Sequence, residues 1–342
     1  MYGWSPLPRS LAATFRDAQS EKPHVRLSAL ADLVRWADSD QRSRCIEQLT
    51  RALDDSDEEV QAAAALGLAD VGASESIGAL IAAAERGAPH VRQLALVAIG
   101  ELGTPADPAV LAAVRAAFVH AAPALRFQAL VAANRLLDAA ELCRELGRAL
   151  RDAEPKVRYV ACRIAEERFF ANGAALAERA QLAERLLELL SDGDAAVRLA
   201  AAIPLARSGS ERGATAVVAA LNRRSGALEL EDEQAAIELC ADLGLLAARP
   251  GLAARVWGGL WAGSRPLAFQ ARVALARLGD ERAQREILRD LSSFRRATRA
   301  RGVAAAGQAR LELARARLLE MRDDERQADS ESVREALLAL DR

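Results

Sequence analysis

Lysine is almost missing from this chain: of its 46 basic residues, only Lys22 and Lys156 are not arginine. That bias reads as the composition of a GC-rich genome and carries no function by itself. Aromatic residues are 4% of the 342 residues, too few for a core built around large rings. Small alanine contacts between closely packed helices fit better. Neither charge sign dominates, since 48 acidic residues leave a net charge of −2, which argues against a generic nucleic-acid binder with its basic excess. No stretch approaches the roughly 18 uncharged apolar residues that a membrane-spanning helix needs. The four cysteines, Cys45, Cys143, Cys162 and Cys240, form no C-x-x-C or other metal-ligand spacing. They sit in apolar helical stretches, so buried free thiols in a reducing compartment are expected. The opening residues Met1 to Pro6 lack the basic start and apolar run of a signal peptide, and a cytoplasmic protein is expected.

What the chain has in abundance is alanine, leucine, arginine and glutamate, the strongest helix formers, arranged with internal repetition. Pro-His-Val-Arg occurs at 23–26 and again at 89–92. Related pairs fill in the series: Val25-Arg26, Val60-Gln61, Val91-Arg92, Leu125-Arg126, Val157-Arg158, Val197-Arg198 and Val333-Arg334, with weaker members at Asp232-Glu233, Leu267-Ala268 and near Ala300-Arg301. The spacings are 35, 31, 34, 32, 40, 35, 35, 33 and 33 residues, steady enough to define about ten units. The widest contains an insertion around Phe169-Phe170-Ala171-Asn172-Gly173.

Each unit has one grammar. A polar turn such as Asp54-Asp55-Ser56-Asp57 or Ser191-Asp192-Gly193-Asp194 supplies capping side chains for a following helix. Apolar residues then recur on one helical face, as at Val60, Ala64, Leu68 and Val71, or Val91, Ala95, Ile99 and Leu102. A glycine at 72, 103, 209, 244 or 279 suits a left-handed helix end. A second amphipathic helix, marked well by Leu182, Leu186, Leu189 and Leu190, leads to the next turn. The fold class expected is all-α, an α-α superhelix of about ten two-helix repeats. Residues 1–20 are expected to be an N-terminal cap, with Leu11, Phe15 and Ala18 covering the first repeat, and 21–342 one continuous repeat domain.

The run from Val91 to Gly103, VRQLALVAIGELG, resembles the second helix of a HEAT repeat, in particular the short subtype noted in phycobilisome lyases. The resemblance extends from about residue 20 to 340. It implies that the arginine after the anchor residue pairs with the turn aspartate of a neighbouring repeat. Arg26, Arg92, Arg126, Arg158 and Arg198 would then form a structural ladder.

Enzymatic chemistry is not evident. His24, His90 and His120 fall in or near the turns of their units. With helices packed roughly 8–10 Å apart, His24 and His90 stand too far apart to share a metal. HEAT-like deoxyhypusine hydroxylases bind iron through His-Glu pairs, whereas Val25, Val91 and Ala121 follow the histidines here. DNA-alkylation-repeat glycosylases rely on aromatic residues, which are scarce. No phosphate loop, serine nucleophile motif or H-E-x-x-H helix is present. No catalytic residue, cofactor or metal site is expected, and a small-molecule ligand is not favoured.

The binding features are sparse. Two residues past the anchor, a side chain points away from the core, and there stand Phe127, Tyr159 and Phe269, with Leu27 and Leu199. Arg135 and Arg163 are placed to flank them. Trp257 and Trp261 share a helical face four residues apart, with core packing the first reading and an interface beside Gly258, Gly259 and Gly263 the second. From Arg282 to Arg317, ten arginines face three acidic residues, a solvated face or a seat for an acidic partner. Glu233 inverts the charge of the arginine slot, marking a bend, a weak junction or a site for a basic partner. The function expected is a non-catalytic protein-binding scaffold or adaptor. The alternatives are nucleic-acid binding through the arginine-rich C-terminal repeats and a lyase-like or enzyme-regulating accessory.

Overall fold

In the computed structural model, residues 9–171, 176–223, 228–259, 266–322, 324 and 326–341 are described. They contain twenty α-helices and no strand, so the chain is an all-α solenoid of helix pairs. The first helices of the pairs are α1 (Leu11–Asp17), α3 (Arg42–Ala52), α5 (Ile77–Arg86), α7 (Pro108–Phe118), α9 (Ala139–Ala149), α11 (Leu176–Leu189), α13 (Glu211–Asn222), α15 (Arg249–Trp257), α17 (Glu281–Leu291) and α19 (Arg315–Met321). The second helices are α2 (Pro23–Trp36), α4 (Glu58–Asp70), α6 (Pro89–Leu102), α8 (Pro123–Leu136), α10 (Pro155–Ala165), α12 (Ala195–Arg207), α14 (Leu230–Asp242), α16 (Ala268–Arg277), α18 (Arg296–Gln308) and α20 (Ser330–Leu340). Thus α1 takes the first-helix position of the first pair. It packs on α2 and is tethered by Arg9, which reaches Asp17 at 2.9 Å and the buried Asp32 at 2.7 Å.

The helices begin where their sequences provide a start signal. Proline opens α2, α6, α7, α8 and α10, where its missing N–H costs nothing and its fixed φ suits the first turn. Aspartates 57, 107, 194 and 280 accept first-turn N–H groups of α4, α7, α12 and α17. Gly72, Gly209, Gly244 and Gly279 adopt positive φ after their helices. Gly103 does not: it is extended, with φ −68° and ψ 156°, so the left-handed ending expected there is absent.

Residues 1–182 and 183–342 form two compact units, where the sequence reading takes 21–342 as one domain. In the first unit, the anchors Val60, Val91, Leu125 and Val157 are buried. Close packing of successive second helices depends on small residues. A Cβ added to Gly100 in α6 would stand 3.0 Å from Ala132 Cα in α8. In the second unit, one added to Gly307 in α18 would stand 2.8 Å from Ala336 Cα in α20. That unit's core is an alanine- and leucine-rich cluster that includes Ile203, Ile237, Cys240, Leu275, Ile287 and Val303.

The 40-residue unit is widened where α10 continues as one π-helical turn, Glu166–Phe170, which buries Phe169 and Phe170. The insertion noticed in sequence therefore begins as core, while Asn172 and Gly173 lie outside the described residues. All four cysteines are buried. Burial pushes the Cys240 thiol up to about 12.

Candidate functional site

The arginine after the anchor is the most repeated polar device in the molecule. Arg26 donates from Nη1 to the carbonyls of Ser20 and Glu21, in the turn before its own helix. It also makes a two-point bond to Asp55, in the turn before α4, at 2.7 and 2.5 Å. Arg126 repeats this with His120 O and Ala121 O, each at 2.9 Å, and with Asp152 at 2.7 and 2.6 Å. The carbonyl clasp recurs at Arg158 and at Arg198. Gln61 makes half of it, donating to Asp55 O. The turn aspartates also accept N–H groups two residues on, as Asp152 does from Glu154 and Asp192 from Asp194. The Arg126 guanidinium outweighs burial and holds the Asp152 carboxyl below its ordinary range.

Arg92 departs from this pattern. Its Nε donates to Ala84 O at 2.9 Å. The next turn is His120-Ala121-Ala122 and has no carboxylate to receive it, and His120 Nδ1 instead accepts the Ala122 N–H. One clasp was missed in the sequence. The slot near Ala300-Arg301 belongs to Arg299, which holds Ser293 O and Phe294 O behind it and Arg326 O and Gln327 O ahead. Arg301 is exposed. With backbone carbonyls replacing the aspartate, no acidic residue signals this rung. At the inverted slot, Glu233 takes Arg255 Nε at 2.5 Å, and Arg255 also donates to Leu221 O and Gly251 O. The anchor position there is filled by the buried Asp232.

On the second helices of the first unit, the positions two, six and ten past the anchor lie outward, apart from the buried Ala62 on α4. Phe127 and Tyr159 are half-buried at the first of these positions on α8 and α10. At the second stand Leu66, 38% exposed, the half-buried Val97, and Val131, 36% exposed. At the third, Arg135 meets Glu101 of α6 at 3.4 Å. Arg163 pairs with Glu166 at 3.0 Å. Leu66, Val97 and Val131 were not singled out from sequence, although the spacing that located Phe127 extends to them by one helical turn.

In the second unit, Phe269 is half-buried against the core cluster. Trp257 also packs against it, donates its Nε1–H to Glu286 at 3.1 Å and carries the Arg282 guanidinium over its ring at 4.1 Å. Trp257 thus sits among first helices, away from the second-helix face. Trp261 lies outside the described residues. A groove of about 1110 Å³ opens between α12, α13, α14 and α15, lined by Arg198, Arg212, Arg255, Glu211 and Glu233 with alanines and leucines. Much of the basic run is engaged internally: Arg282 with Glu286, Arg299 in its clasp, Arg315 with Glu312 and Asp341, and Arg317 with Glu320.

Among the described residues, no group of histidine, cysteine and acidic side chains has metal-binding geometry, and no helix is long and apolar enough to cross a membrane.

A family profile described as HEAT repeats matches residues 46–134. The solved structure of YibA from Escherichia coli is similar in fold, with a TM-score of 0.54 at 15% identity over 79% of this chain and 92% of that one. An engineered protein aligns over 96% of this chain and 98% of its own, with a TM-score of 0.44 at 16% identity. The complex of CpcE and CpcF of phycocyanin lyase from Nostoc sp. PCC7120 aligns over 71% of this chain and 91% of that one, with a TM-score of 0.42 at 19% identity. No curated protein sequence matches. With its paired helices and clasped turns, the chain is an all-α solenoid, of which residues 46–134 match the HEAT-repeat profile.

Proposed function

We propose that this protein is a protein-binding scaffold and that its docking surface is the outer face of the second helices in the first unit. One observation carries the reading: outward positions of α4, α6, α8 and α10 repeat in register. They line up Leu66, Val97 and Val131 beside Phe127 and Tyr159, with Arg135 and Arg163 at the edge. Single exposed apolar residues need no explanation, but a row on consecutive packed helices is a continuous surface. Repeat arrays present such surfaces to extended partners, and aromatic residues with arginine are the side chains that concentrate binding energy. The nucleic-acid alternative rests on the arginine run at 282–317, where internal pairing absorbs several of the cations.

The test is affinity purification of the full chain from its source cells, followed by cross-linking of any retained protein. Phe127→Ala with Tyr159→Ala should lose that partner while the thermal unfolding curve shows the fold is kept. Retention of the same partner at unchanged affinity would remove the site from consideration.

A further inference from the structure

We infer that the occupant of this surface is a basic amphipathic helix running across α4, α6 and α8, an inference that rests on the protein-binding reading just given. Two features point to it. The first is spacing. Neighbouring packed helices stand roughly 8–10 Å apart, while residues seven apart on an α-helix share a face and are separated by about 10.5 Å along its axis. A helix crossing the second helices therefore offers apolar side chains at i, i+7 and i+14 to Leu66, Val97 and Val131 in turn. An extended strand has no such match, because its same-face residues repeat about every 6.6 Å.

The second feature is charge. The outward row is bounded at the start of α4 by the exposed Glu58 and Glu59 and at the far ends of α4 and α6 by the exposed Asp70 and Glu101. The only cation at the corresponding far end of α8 is Arg135, already paired with Glu101. On α6, Arg92 is turned to Ala84 O. The start of α6 contributes His90 and that of α8 contributes Ala124. An apolar row with carboxylates along both margins of α4 suits a helix with leucine-type side chains on one face and lysine or arginine along both flanks.

The probe is a synthetic 18-residue helix with leucines on the heptad face and lysines flanking them, titrated into the full chain by fluorescence anisotropy. A twin with glutamates in place of the lysines serves for comparison. The lysine helix should bind at least tenfold tighter than its glutamate twin. Leu66→Glu with Val131→Glu should weaken it at least tenfold. Val119→Glu, at an 83% exposed turn position after α7, should change nothing. Asp70→Lys with Glu101→Lys should reverse the preference toward the glutamate helix, a gain of binding that misfolding cannot produce. Equal binding of the two helices, or binding indifferent to both pairs of substitutions, overturns the inference. Loss of a native partner from the Phe127/Tyr159 double variant with no binding of the lysine helix would leave the scaffold reading standing and this one refuted.

Discussion

The two units use one repeat grammar with different strictness. In the first, the anchors of α4, α6, α8 and α10 are aliphatic and buried, and the slot after each holds Gln61, Arg92, Arg126 or Arg158. In the second, the anchors run Val197, Asp232, Leu267, Thr298 and Val333, and the slots Arg198, Glu233, Ala268, Arg299 and Arg334. The outward positions diverge in step. Where the first unit exposes Leu66 and Val131, the second buries Leu199 and Ile203 and Val273, and shows Gln234 and Glu238 on α14. A bridge ten residues past the anchor survives in both, as Glu101–Arg135 and as Asp242–Arg277 at 2.8 Å. Stacking thus tolerates loss of the anchor and slot where a local substitute such as Glu233–Arg255 exists. The outer surface is less regular there, since even α12, which keeps Val197 and Arg198, buries Leu199 and Ile203, and the second unit has a groove where the first has a stripe.

The comparison can be broken most forcefully at the close helix contacts. Gly100→Leu forces a side chain against the α8 backbone and should destabilise the first unit by about 3 kcal/mol, while Gly307→Leu should do the same to the second. Hydrogen exchange mapped by peptide should show each loss confined to its own unit. Loosening of both units by either substitution would mean that the division at residue 182 has no energetic content.

The ladder comes next in size. Arg126→Ala removes four bonds, two of them to Asp152, which keeps the Glu154 N–H, at a cost of about 2 kcal/mol. Arg92→Ala removes one bond and should cost about 1 kcal/mol. Urea unfolding of the two variants decides this, and equal losses would show that the aspartate rung adds nothing to the carbonyl clasp.

Acid gives the smallest effect. Asp152 has a folded-state pKa depressed below its unfolded value by Arg126, with burial opposing. Its stabilisation is therefore present above the unfolded pKa of about 4 and is lost as pH falls through the lower folded value. Of the second unit's carboxyls held below their ordinary range, Glu312 and Asp329 are solvent-exposed and Asp324 is half-buried. Between pH 5 and pH 3, protection of the turn around 152–154 should fall on the order of 1 kcal/mol, and Arg126→Ala should weaken that dependence, since the Glu154 N–H and Arg158 still favour the carboxylate.

Much of the fold was legible because the signals are local. Proline and aspartate mark helix starts, and a 3.6-residue apolar period with a constant spacing counts the pairs. The arginines after Val25 and Leu125 were legible as a ladder because their receiving aspartates, Asp55 and Asp152, lie in the next turn. Arg299 was not, since backbone carbonyls receive it and leave no side-chain trace. Arg92 was misjudged for the converse reason: its own motif is intact while the neighbouring turn lacks an acceptor. For the surface, Phe127 and Tyr159 were found by their place two residues past the anchor. The aliphatic row beside them looks like core in a one-dimensional reading, because only the neighbouring helices decide which valine is covered.

One guanidinium at Arg126 holds both the turn that opens its own helix and the turn that opens the next. Those two turns therefore cannot melt separately, and fraying advances through such rungs by whole repeats. Arg92 holds neither the turn after α7 nor an aspartate beyond it, so the junction between α6 and α8 lies at a seam in the stack's cooperativity. Gly100, whose missing side chain lets α6 approach Ala132 closely, holds the seam by shape, with the Glu101–Arg135 pair beside it.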